Sequence, residues 1–101
     1  MFKEMKFEPG LITYNDCNIS IYMPLDDQID ALKEDLFQVQ YGKKFLIDVG
    51  WYPSFNIKGK FRIRVIKDYD WTVPLFDKIC RDIKTLNRYM EECIKVVNEL
   101  L

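Results

Sequence analysis

Apolar and polar residues alternate with period two from Phe45 to Trp51 and again from Lys60 to Lys67, with turn-forming residues between. That pattern predicts a half-buried antiparallel hairpin. Phe45, Ile47, Val49 and Trp51 share one face of its first strand, and Phe61, Ile63 and Val65 share one face of its second. Lys60, Arg62 and Arg64 project together on the opposite side, about 7 Å apart. If Trp51 opposes Phe61, then Asp48 opposes Arg64 and Tyr52 covers the Lys60 stem. Gly50 leaves room there for an aromatic ring or Arg62 from the neighbouring strand.

Upstream, Phe2, Met5 and Phe7 mark a first strand ended by Pro9-Gly10, which Leu11–Tyr14 extends or repeats. Ile19, Ile21 and Met23 alternate with Asn18, Ser20 and Tyr22 as a second strand. Pro24 stops it, and Leu25, Ile29, Leu32 and Leu36 then recur at helical spacing, with Asp26 and Asp27 in the first turn where the macrodipole favours them. Phe37, Val39 and Tyr41 return to period two, and Gly42-Lys43-Lys44 is a tight turn. Helical spacing from Ile83 to Leu100 predicts a C-terminal helix with Asp82 as candidate N-cap. Leu75–Arg81 reads either as its first turns or as an edge strand, and the shorter helix is preferred. The expected fold is α+β: an antiparallel sheet of four to five strands packed against two helices in two layers, one domain over residues 1–101.

Composition changes the picture through charge. The formal net charge is only −1, which argues against a globally basic nucleic-acid binder. Residues 24–37, however, carry five carboxylates against one lysine, and residues 43–67 carry seven cations against one aspartate. An acidic helix therefore stands beside a basic hairpin, and either can meet a partner of opposite charge. The acidic set is Asp26, Asp27, Asp30 and Glu34, the helix carboxylates on solvent-facing positions. The alternative set is Lys60, Arg62 and Arg64 with Tyr52 and Trp71, a basic and aromatic combination that could grip single-stranded nucleic acid. Each has an ordinary reading: a solvated helix face, and an exposed sheet face with cross-strand ion pairs. A loop tryptophan such as Trp71 more often folds back to cap a core edge, and that is the reading preferred for it.

Catalytic chemistry finds no foothold. The chain has no histidine, so Ser–His and Cys–His nucleophile pairs are excluded, and its scattered glycines form no phosphate loop. Cys17, Cys80 and Cys93 have neither disulfide-framework nor zinc spacing; Cys80 and Cys93 fall on apolar stripes and read as small core residues. No enzyme activity, metal or cofactor is expected. With no signal peptide and no bilayer-length apolar run, a cytoplasmic protein is expected, a monomer or weak dimer when free.

The runs Asp35–Tyr41, Ile47–Pro53, Gly59–Lys67 and Asp70-Trp71 resemble small bacterial immunity proteins encoded beside polymorphic toxins, including those of contact-dependent growth inhibition systems. The resemblance covers roughly residues 33–72. It implies a cytoplasmic, non-enzymatic protein that binds the C-terminal domain of a cognate toxin, with a nuclease the expected target. Interface residues differ among members of such families, so none is carried over by motif. A basic toxin surface would select the acidic set, and an acidic one the basic and aromatic set.

Overall fold

The computed structural model describes every residue except Lys3. Five strands form one antiparallel sheet in chain order: β1 (Leu11–Asn15), β2 (Phe37–Tyr41), β3 (Phe45–Tyr52), β4 (Lys60–Lys67) and β5 (Phe76–Cys80). A single α-helix, α1 (Ile83–Leu100), follows and packs against β4 and β5. The fold is thus α+β in two layers, as the periodicity predicts.

The β3–β4 register pairs Trp51 with Phe61, Asp48 with Arg64, and Tyr52 with Lys60. Alternation therefore sends Phe45, Ile47, Val49, Trp51, Phe61, Ile63 and Val65 to the inner face, where all are buried. Phe37, Val39 and Tyr41 extend that face from β2, and Leu86, Met90, Cys93 and Val97 close it from α1. Trp51 and Phe61 meet edge to face at 4.9 Å, a preferred aromatic geometry. The indole N–H of Trp51 donates to the Asn56 carbonyl at 2.9 Å, so its polar atom is satisfied.

Of residues 75–81, Phe76–Cys80 form the edge strand, and α1 is the shorter helix. Asp82 caps it by accepting a hydrogen bond from the Thr85 amide at 2.7 Å. Leu75 N donates to Val65 O at 2.9 Å, and β5 then pairs with β4 instead of winding into that helix. Of the two small-core cysteines, Cys93 is buried on the stripe of α1, while Cys80 is half-buried at the end of β5.

The N-terminal third departs from the sequence expectation in three places. Among the described residues, the run holding Phe2, Met5 and Phe7 forms no strand; Phe2 and Phe7 instead pack their rings on Phe37 at 4.8 and 5.6 Å. The first strand is its extension, Leu11–Asn15. The expected strand Asn18–Met23 is a loop. The expected Leu25–Leu36 helix is a short 3-10 segment, Leu25–Ala31, with Gln28 at non-helical φ −130°, followed by extended chain. The apolar spacing is honoured in another way, since Leu32 and Leu36 are buried all the same.

Hydrogen bonding across the sheet decides that last outcome. Lys33 O accepts from Trp51 N at 2.8 Å, Leu36 N donates to Val49 O at 3.1 Å, and Phe55 N donates to Leu32 O at 2.7 Å. Residues 32–36 thus run along β3, bulging at Glu34 and Asp35. Gly50 lies beneath the bulge, where an added Cβ would sit 1.9 Å from Glu34 O. The space above Gly50 is filled by the Glu34 backbone and the edge of the Tyr52 ring from the same strand, rather than by a group from the neighbouring strand such as Arg62.

Candidate partner interface

No helix covers the outer sheet face at its centre, and register alone assembles a polar row there. Tyr14, Gln38, Asp48, Arg64 and Asp77 align across all five strands. Asp48 is only 3% exposed. It survives burial because Gln38 Nε2 donates to Oδ1 at 2.8 Å and the Arg64 guanidinium donates to Oδ2 at 3.0 Å. Arg64 also donates to the Tyr52 hydroxyl at 3.2 Å, and its Cζ lies 5.0 Å from the Trp71 ring centre and 5.9 Å from that of Tyr52. Burial first, and then the Asp48 charge, raises the Tyr52 phenol above its ordinary value.

The loop after β4 folds back over this face. Lys67–Asp70 closes a turn in which Asp68 and Tyr69 take φ of 54° and 59°, and Gln40 Nε2 donates to the Tyr69 hydroxyl at 2.9 Å. Trp71 is thereby laid on Arg64. It does not cap the core, contrary to the sequence expectation, because the left-handed turn sends the loop to the other side of the sheet.

Beside this cluster, Arg62 holds Asp77 with two hydrogen bonds, 2.8 Å from Nε and 2.6 Å from a terminal nitrogen. That bond keeps the Asp77 carboxyl below its usual range. Lys60 is exposed and in no ion pair among the described residues. The basic and aromatic set is therefore brought together, but two of its three cations are neutralised by the fold's own carboxylates.

The acidic set shows the opposite arrangement. Asp26, Asp27 and Asp30 stand on the 3-10 segment and Glu34 on the bulge, all exposed. Among the described residues none of their carboxylates enters an ion pair or hydrogen bond. Lys33, the lone lysine of that stretch, is taken by Asp16. Glu34 is set apart from the three aspartates: its amide donates to Ser54 Oγ at 2.8 Å, and its carbonyl lies over Gly50, next to the Tyr52 ring.

Sequence reasoning misses what precedes the aspartates. Gln28 turns its amide onto the loop, donating to Ser20 O and Met23 O at 2.9 Å each and accepting from Ser20 N at 2.8 Å. Ser20 Oγ accepts from Tyr22 N at 3.1 Å. The clasp holds Ile21, Tyr22 and Met23 outward, 56%, 92% and 46% exposed. The available signal is Ser20 four residues before Pro24, a combination that favours a turn over a strand.

Among the described residues no three His, Cys, Asp or Glu side chains converge on a metal-sized site. Among the described residues no helix is long and apolar enough to cross a membrane. Compared with known proteins, the chain matches no family model, no curated protein and no solved structure.

Proposed function

We propose that this chain is an immunity protein, acting in the bacterial cytoplasm by binding the C-terminal domain of a cognate toxin through Asp26, Asp27, Asp30 and Glu34. One observation carries the reading: both arginines of the basic set are spent on Asp48 and Asp77, while the carboxylates of the 3-10 segment and bulge have no partner among the described residues. A surface of unneutralised carboxylates suits a cationic partner and accelerates its association. Nucleases present such a cationic surface, because their substrate groove must attract phosphates, and carboxylates can occupy the same positions. The resemblance of residues 33–72 to immunity proteins supports the same conclusion.

Co-expression with the product of the adjacent upstream open reading frame tests it. The expected result is a stable complex with that product's C-terminal domain and rescue of cells from its toxicity. Charge reversal at Asp26, Asp27 and Asp30 abolishes rescue, whereas reversal at Lys60 does not. Absence of both complex and rescue refutes the proposal.

The competing reading, a nucleic-acid-binding or regulatory module built on Lys60, Arg62 and Arg64, is disfavoured by the engagement of both arginines. An anisotropy titration with single-stranded DNA and RNA at low salt separates the two. Nucleic-acid binding predicts an affinity falling with salt by about one logarithmic unit of slope per phosphate contact.

A further inference from the structure

We infer that the Ile21–Tyr22–Met23 loop is a preformed apolar anchor that inserts into a pocket rimmed by basic side chains on a protein partner. The inference deepens the partner-binding reading above and rests on it, but it does not require that the partner be a toxin.

Order and burial are mismatched in this loop. A single half-buried side chain, Gln28, makes three hydrogen bonds to the backbone of Ser20 and Met23, and Ser20 adds a fourth to Tyr22. Ordering a loop normally accompanies burial of its apolar side chains, since conformational entropy opposes it by about 1–2 kcal/mol per residue. Here the clasp orders the loop and leaves Tyr22 92% exposed, with Ile21 and Met23 about half exposed beside it. The fold gains almost no packing from Tyr22 in that arrangement. A partner does, because a loop whose backbone is already held in place loses little backbone freedom on docking. Gln28 also departs from helical geometry, with φ −130°, in the segment that carries the aspartates.

Charge selects the occupant. Asp27 N donates to Pro24 O at 3.1 Å, so the exposed carboxylates of Asp26, Asp27 and Asp30 follow directly on the loop. An anionic membrane surface would repel that flank, and so would a nucleic-acid backbone. A protein surface with an apolar pocket and a lysine or arginine rim is complementary to both parts. Such an interface has the usual anatomy of a central aromatic anchor within a polar rim.

Site-specific photocrosslinking in the cell that encodes the chain tests the inference and needs no candidate partner in hand. A benzophenone amino acid replaces Tyr22 in the full-length protein, or Lys43 in the exposed β2–β3 turn as control. The expected result is one dominant protein adduct at position 22 that is absent at position 43. Mass spectrometry should identify a protein with a cationic surface, and the adduct should be lost when Asp26, Asp27 and Asp30 are changed to asparagine. With that partner purified, Tyr22→Ala should weaken binding by about 30-fold, the effect of a hot-spot side chain, while leaving the melting temperature unchanged. No adduct at position 22 above the control, or an adduct indifferent to the three aspartates, overturns the inference. An adduct with a cationic protein other than a toxin leaves the inference standing and refutes the immunity reading.

Discussion

Gly50→Ala probes the contact on which the position of the acidic bulge depends. A Cβ at position 50 would lie 1.9 Å from Glu34 O and 2.9 Å from Glu34 C, and real Cβ contacts essentially never fall under 3.0 Å. Something must therefore move by about 1.1 Å, and the closest obstructing atoms are Glu34 backbone, with a Tyr52 ring carbon at 2.9 Å beside them. The strip that would have to lift is fastened on both sides of Glu34, by Trp51 N to Lys33 O at 2.8 Å and by Leu36 N to Val49 O at 3.1 Å. Lifting it by that amount takes both bonds out of range, at about 1 kcal/mol each. Residual overpacking adds about 1–3 kcal/mol, and the reduced freedom of the unfolded alanine chain returns about 0.4–1 kcal/mol. The expected net loss is about 3 kcal/mol, a large share of the stability of a domain this size. Urea denaturation followed by far-ultraviolet circular dichroism measures it, and amide hydrogen exchange at Leu36 and Trp51 should quicken in parallel. A loss under about 1 kcal/mol with protection at both amides unchanged would refute the reasoning, because the bulge could then not be seated on Gly50.

Three other perturbations address the outer face and the helix. Asp48→Leu leaves the Arg64 guanidinium buried without its carboxylate and should lose about 3–5 kcal/mol, whereas Asp48→Leu with Arg64→Leu should lose less than that single change; a double-mutant cycle in urea reads both, and a double variant worse than the single would contradict the account. Asp82→Ala removes the α1 cap and should lose about 1 kcal/mol at neutral pH. Hydrogen bonds from the Thr85 amide and hydroxyl hold the Asp82 carboxyl below its ordinary value. Its contribution is thus present above the unfolded pKa of about 3.9 and lost as pH falls through the lower folded value. Melting curves of wild type and variant should begin to draw together as pH falls below about 4 and coincide only below the folded value; a constant gap would assign the effect to something other than the cap. Asp68→Gly relieves a left-handed residue whose side chain accepts no hydrogen bond among the described residues, and should raise stability by up to about 1 kcal/mol; a loss on thermal denaturation would show that the aspartate side chain contributes to the turn.

The hairpin was legible because its evidence is local. Alternation in 45–52 and 60–67 admits one register that buries Trp51 and Phe61 together, and a slip by one residue would turn Asp48 into the core. The segment 25–36 was not legible for a matching reason. Leu25, Ile29, Leu32 and Leu36 suit a helix, yet they equally suit a 3-10 turn followed by an extended run, and the choice lies with hydrogen bonds to Val49 and Trp51 about fifteen residues away. For the candidate interface, composition reveals both charged sets. Which of them is neutralised depends on Asp77 reaching Arg62, and that follows only once residues 75–81 are a strand. The ambiguity there hid the difference between the two faces. Gln28 was hidden more deeply, since a glutamine in an apparent helix gives no hint that it clasps a loop.

The order of the strands has a consequence for how the molecule is assembled. Space follows sequence throughout, and β2, β3 and β4 are joined by residues 42–44 and 53–59. These three strands carry Gln38, Asp48 and Arg64 and can zip together through short loop closures, the fast steps of folding. The connection from β1 to β2 is by far the longest, residues 16–36, and its closure comes later because entropy rises with loop length. The clasped loop, the three aspartates and the bulge all hang on that one connection. Their exposed side chains can consequently be exchanged, even for opposite charges, while the nucleus that builds the sheet is left untouched. The scaffold is therefore free to retain its fold while the exposed side chains of that connection are rewritten.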